Sequence, residues 1–259
     1  MLNIVSAITG GPIVPFTPSS IAGLKAWYDA SDTATISLSG SAVTQWNDKS
    51  GNSFNLTQGT ALRRPQSGVN TLNSLNVITF DGNDLLQAAT ASDWTFLHNS
   101  TGGTIFFAAY FNTVSIEGVL VTTAFSSSQS GIYVARNGAD LLLTEVYRGT
   151  GGTFVSSLTS GTLTDNTAKY ASMVLDNSNA TAANRLIYKI NAGSNLTGNT
   201  YTGTPSASAP NNGLYVGAYD TAGSNGLQGR IAEIIIYTGV LSGTDISNVN
   251  SYLASKWAI

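Results

Sequence analysis

The chain has no cysteine among its 259 residues, so neither disulfides nor thiolate metal sites can hold it together. The fold must stand in reducing and oxidising compartments alike, on an apolar core. Charge of one sign is also missing. Eleven basic residues against 14 acidic ones leave a net −3, too small and too evenly spread to attract a nucleic acid or an anionic membrane. Glycine, asparagine or charge interrupts every apolar run before it could cross a bilayer, so no membrane insertion is expected. The opening MLNIVSAITGGPIVPFTP lacks a basic n-region and is broken by glycines and prolines, which predicts no cleavable export signal.

Several catalytic signatures are absent too. Histidine occurs once, as His98 in TFLHNSTGG; a lone imidazole cannot make a multi-histidine zinc site, and it reads as a loop residue. No serine sits in a G-x-S-x-G elbow, and the glycine-rich RGTGGT (148 to 153) has no P-loop lysine. The glutamates are only Glu117, Glu145 and Glu233, widely spaced, and each lacks a second carboxylate two residues away to share acid and nucleophile roles. No catalytic residue is assigned, and the expectation is a protein that is not an enzyme.

What the chain does contain is short β-rich runs punctuated by Gly, Asn, Asp and Ser: VITF (77 to 80), TIFFAAYF (104 to 111), GIYVAR (131 to 136), YASMVLD (170 to 176) and RLIYKIN (185 to 191). In the last, Leu186, Tyr188 and Ile190 fall on one face and Arg185 and Lys189 on the other, the period of a half-buried strand. One helix is expected, in LSGTDISNVNSYLASKW. Ser242 caps it, Asp245 complements its dipole, and Ile246, Val249, Leu253 and Trp257 form an apolar stripe that should lie against the sheets. Residues 1 to 20 form a separate extended arm, spaced by Pro12, Pro15 and Pro18 and carrying Phe16. It reads either as a loose terminus or as a strap that docks onto another chain. Residues 21 to 259 make one β domain.

Three polar stretches are candidate sites. In QWNDKSGN (45 to 52) Asp48 could serve a metal or a sugar. The structural reading has Trp46 bury its ring while Asp48, Ser50 and Asn52 bond backbone groups. One carboxylate falls well short of the about six to eight oxygens that calcium needs, which favours structure. FDGNDLL (80 to 86) offers Asp81 and Asp84 as a better calcium pair, or equally a tight turn built on Asp-Gly. Calcium is the one cofactor considered. The uncharged segment 192 to 212 offers Asn199, Tyr201, Asn211 and Asn212 to saccharide hydroxyls and a pyranose face, or serves as a solvated crossover.

Read in order, GLKAWYDASD (23 to 32), QWNDKSGN, the Arg64-Pro65 step, FDGNDLL, GLYVGAY (213 to 219), GRIAEIIIYTGVLS (229 to 242) and YLASKW (252 to 257) resemble the concanavalin A-like, LamG-like jelly-roll domains of bacterial surface proteins and bacteriophage structural proteins. The resemblance implies an all-β, two-sheet antiparallel jelly-roll sandwich with a short C-terminal helix packed on it. Glucanases of that superfamily carry a Glu-x-Asp-x-Glu strand that this chain lacks, so a glycoside hydrolase is the least favoured reading. Glu233 matches an acidic position of the family's last strand and should hydrogen-bond or face solvent. The expected function is a non-catalytic virion structural protein, a capsid-decoration or tail-associated subunit on the virion surface, assembled in the host cytoplasm. Its partners would be other virion proteins or further copies of itself, with the arm docking to neighbouring subunits. The alternative is a carbohydrate-binding adhesion module of a bacterial or viral surface, with a surface polysaccharide as partner.

Overall fold

A computed structural model describes residues 16–112, 116–126, 128–149, 162–197 and 204–259. In chain order the strands are β1 (Leu24–Asp29), β2 (Ile36–Ser39), β3 (Ala42–Trp46), β4 (Leu56–Thr57), β5 (Gln66–Leu72), β6 (Leu75–Asp81), β7 (Leu86–Ala88) and β8 (Gly103–Phe111). They continue as β9 (Gly118–Thr122), β10 (Ser130–Arg136), β11 (Leu142–Arg148), β12 (Thr167–Leu175), β13 (Leu186–Ile190), β14 (Leu196–Thr197), β15 (Leu214–Val216) and β16 (Gln228–Thr238), before helix α1 (Gly243–Trp257). The five runs singled out in the sequence fall in β6, β8, β10, β12 and β13.

The antiparallel ladder runs β11-β10-β9-β15-β7-β4-β3 through one layer, turns through β5, and continues β6-β16-β8-β12-β13-β14 in the other; β1 joins β16, and β2 joins β3. One core cluster fills the space between the layers. From the first it takes Ile132, Val134, Leu142 and Val146, and from the second Ile105, Phe107, Phe111, Met173, Ile234 and Ile236. The expected two-sheet sandwich is therefore the fold.

A second cluster explains why β8 and β16 read as nearly continuous apolar runs. The outer face of the second layer offers Phe106, Ala108, Tyr170, Ile235 and Tyr237, and α1 covers it with Val249, Leu253 and Trp257. Strands buried on both faces need no polar alternation. In β13, by contrast, Leu186 and Tyr188 are buried in the core and Ile190 packs against it, as the alternation predicts. The helix begins where expected: Ser242 Oγ accepts from Asp245 N at 3.1 Å and donates to Asp245 Oδ2 at 2.7 Å. It ends at Ala258, which takes a left-handed φ of 54°.

Of the expected arm, Pro12 and Pro15 lie outside the described residues. Phe16 stacks on Tyr252 of α1 at 5.8 Å, and buried Pro18 opens a 3-10 turn and accepts from Tyr237 Oη at 2.8 Å through its carbonyl. The described end of the segment thus lies against its own domain.

Candidate functional site

QWNDKSGN folds into a clasp between β1 and the turn after β3. Asp48 Oδ1 accepts from Trp27 N (2.9 Å) and Ser50 N (2.8 Å), and Oδ2 from Ser50 Oγ (2.7 Å) and Phe54 N (3.1 Å). Asn52 Nδ2 donates to the carbonyls of Leu24 and Lys25, both at 3.0 Å, while Gly51 takes φ +90°. Trp46 is completely buried. With four donors on its two oxygens, Asp48 is spent on backbone closure.

Lys49 points the other way, into a buried ionic network. Its Nζ lies 2.9 Å from Asp29 and 2.8 Å from Asp32, and 4.4 Å over the Trp27 ring. Across the network Lys256 of α1 meets Asp29 at 2.7 Å and Glu233 at 2.9 Å. Glu233, fully buried, also accepts from Trp27 Nε1 (2.6 Å), Tyr252 Oη (2.8 Å) and Trp257 Nε1 (2.8 Å). Of the two expectations for Glu233, hydrogen bonding holds and solvent exposure does not. Burial pushes its carboxyl above the usual range and Asp29 adds to this, while Lys256 opposes it. Burial acts on Asp29 in the same sense, but there the Lys256 charge and the bonds from Lys256, Ser31 and Lys49 outweigh it and hold the carboxyl low. Both oxygens of Asp29 and both of Glu233 are taken by the protein itself.

Asp81 and Asp84 form a turn: Asp84 Oδ2 accepts from Asp81 N at 3.0 Å, and Asp81 Oδ1 from Asn83 N at 3.1 Å. Burial, reinforced by the Asp81 charge, raises Asp84 to about 6. Among the described residues no group of three or more His, Cys, Asp or Glu side chains is placed to hold a metal. His98 is more than a loop residue. It is fully buried after the 3-10 turn Ala91–Leu97, with Nε2 2.8 Å from Ser208 O, and burial lowers its pKa. Of the proposed saccharide residues, Asn199 and Tyr201 lie outside the described residues. Asn211 and Asn212 donate through their backbone amides to Ser130 O (3.1 Å) and Thr123 O (3.0 Å), beside the start of β10 and the end of β9.

The arrangement the sequence did not disclose lies on the outer face of β9, β10 and β11. In antiparallel register Tyr133 stands opposite Glu145, Gly131 opposite Tyr147 and Ala135 opposite Leu143. Successive side chains alternate between faces, so Ile132 and Val134 enter the core while Tyr133 faces outward with Leu143 and Tyr147. Glu117, just before β9, is brought beside them. The result is a pocket of about 250 Å³ lined by Glu117, Phe125, Tyr133, Leu143, Glu145, Tyr147, Tyr219 and Asn225.

Its rings are mutually braced: Phe125 and Tyr219 lie 5.1 Å apart, and Tyr133 and Tyr219 6.5 Å apart. Tyr133 Oη donates to Glu117 and Tyr147 Oη to Glu145. Asn225 Nδ2 bonds Glu117 Oε1 at 2.9 Å and Tyr133 Oη at 3.3 Å. Burial raises the Glu145 pKa; the Tyr147 bond opposes the rise and the Glu117 charge adds to it. Both phenols are raised by burial and by their carboxylate partners. Preformed concave sites with aromatic walls and a few convergent polar groups are the usual form of a ligand site. The sequence hid this one because Glu117 meets Tyr133 only beside the β9–β10 pairing and Tyr133 meets Glu145 only through the β10–β11 register; the Glu145–Tyr147 bond, two residues apart on one strand, is the one local contact.

No family model matches the chain, and no curated protein is similar to it in sequence. Solved structures do resemble it. A Trypanosoma rangeli sialidase in complex with sialic acid aligns with a TM-score of 0.60 at 12% identity, covering 91% of this chain and 33% of that one. Domain 4 of a GH43 extracellular arabinanase from Geobacillus stearothermophilus, in complex with arabinotriose, aligns at 0.58 and 15%, covering 88% and 98%. The CBM40 of a Ruminococcus gnavus IT-sialidase bound to α2,3-sialyllactose aligns at 0.52 and 11%, covering 67% and 95%. The chain spans about a third of the sialidase chains it matches. At such identities the likeness concerns the fold alone: the chain shares with these structures an antiparallel β-sandwich.

Proposed function

We propose that this sandwich binds carbohydrate on the outer face of β9–β11. The observation that carries the reading is the pocket in which Phe125, Tyr133 and Tyr219 present rings beside Glu117, Glu145 and Asn225. Aromatic rings cover the C–H faces of a pyranose, and carboxylate and carboxamide oxygens accept from its hydroxyls. That two similar structures matched over nearly their whole length are bound to sialyllactose or in complex with arabinotriose supports saccharide recognition on this fold. The role is binding rather than turnover, since the rings and carboxylates brace one another. A glycan array followed by calorimetry on its best oligosaccharide tests this. Tyr219→Ala should weaken binding at least tenfold, and an unchanged affinity would remove the pocket from the reading.

A finer reading places this binding sandwich on a virion, as a decoration or tail-associated subunit docked by its arm. It rests on the proline-spaced opening and on the resemblance to phage structural domains. Deleting residues 1 to 20 should abolish incorporation into particles; full occupancy of the truncated protein would refute the docking role.

A further inference from the structure

The charge of the pocket says more about its ligand. All eleven Lys and Arg residues lie among the described residues, and none lines the cavity. Among the described residues Lys25, Lys49, Arg136 and Lys256 are committed to ion pairs with Asp29, Asp32, Asp93, Asp140, Asp165 and Glu233. Among the described residues Glu117 and Glu145 have no cationic partner, yet they share one half-enclosed cavity with the four aromatic rings of Phe125, Tyr133, Tyr147 and Tyr219, whose negative faces add to the potential. Two carboxylates held together in partial burial repel, and a ligand that brings positive charge relieves that cost on binding. A ligand that brings a carboxylate increases it.

Building on the carbohydrate reading above, the geometry points to a saccharide carrying a free amine, a glucosamine-type unit, whose ammonium lies between Glu117 and Glu145 and against the Phe125, Tyr133 and Tyr219 rings. Carboxylate–ammonium hydrogen bonds and the cation–π contact act on the same charge. Burial first, and the Glu117 charge after it, raise the Glu145 pKa, and a neighbouring cation would oppose both. Acidic sugars are disfavoured here, in contrast to the sialosides held by two of the similar structures.

The test is calorimetry at neutral pH with the β-1,4-linked glucosamine tetramer, its fully N-acetylated counterpart and sialyllactose, each in chelator and in added calcium. The free-amine tetramer should bind at least tenfold more tightly than the acetylated one. That preference should shrink with added salt and collapse in Glu117→Gln and Glu145→Gln proteins that keep the wild-type urea midpoint. Equal affinity for both tetramers would overturn the amine while leaving the carbohydrate reading standing. Tighter binding of sialyllactose would do the same, and binding that requires calcium would assign the carboxylates to a metal instead. No binding of any of the three saccharides would overturn the amine, while the glycan array decides the carbohydrate reading separately.

Discussion

Glu233 accepts from two indole N–H groups, a phenol and an ammonium in full burial. Glu233→Ala would strand these donors and leave Lys256 with Asp29 and the Tyr252 hydroxyl. Buried pairs broken on one side cost about 3–5 kcal/mol, and a urea unfolding curve should show a loss of that size. Asp48→Ala removes the acceptor from three backbone amides, and bonds to a charged acceptor are each worth about 1.5–3 kcal/mol. A loss of at least about 3 kcal/mol should appear in the same measurement. Asp84 carries a pH signature. Raised to about 6 in the folded state, against about 3.9 unfolded, it holds its proton in the native protein across that window. Its contribution to stability is therefore full below the unfolded value and lost as pH rises through 6. Asp84→Asn should flatten that part of the slope, seen by comparing urea midpoints at pH 7 and pH 4.5. At this scale the sequence was informative where neighbours are local. Asp48 bonds Ser50 and Phe54 within six positions, a local turn that could be anticipated, whereas its bond from Trp27 and those of Asn52 to Leu24 and Lys25 span 21 to 28 positions. Glu233 meets Trp27 across 206 positions, a separation no local pattern encodes.

Elements follow the same division. The apolar stripe and Ser242 cap of α1 were legible because a helix writes its contacts every three to four residues. Ser242→Ala should cost about 1 kcal/mol, and Leu253→Ala, which opens a cavity under the helix, about 2–5 kcal/mol; thermal melts rank the two. What could not be read is the irregularity of β16. Its ladder with β8 slips between Ile231 and Glu233. Ile231 and Ile234 reach the inter-sheet core, while Ala232 and, with it, Glu233 turn to the helix side. Strict alternation would have put Ile231 under the helix and Ala232 in the core. A bulge re-aims side chains without any marker residue, so the run RIAEIIIY gives no hint of it. The pocket tyrosines were hidden for a related reason: their alternation is visible in β10 and β11, but the pairing that sets Tyr133 against Glu145 is long-range information.

At the scale of the whole molecule, the sandwich should respond to a ligand as one cooperative body. A saccharide that binds only the native state stabilises it by about 2.7 kcal/mol at a hundredfold excess over its Kd, so the melting temperature should rise with free-amine oligosaccharide. It should not rise in Tyr219→Ala. From the strand runs and turn signals alone a sandwich or a barrel was legible, and the two-sheet sandwich followed from the resemblance carried by stretches such as GLYVGAY and GRIAEIIIYTGVLS. β16 nevertheless occupies the middle of its layer, flanked by β8 on one side and by β6 and then β1 on the other, although it is last of the strands in chain order. During vectorial synthesis the nascent polypeptide must therefore wait, with two raw edges facing each other across a missing slat, until that final ribbon leaves the ribosome. Fragments stopped short of residue 228 should accumulate as insoluble material or on chaperones, whatever the quality of the strands they already contain.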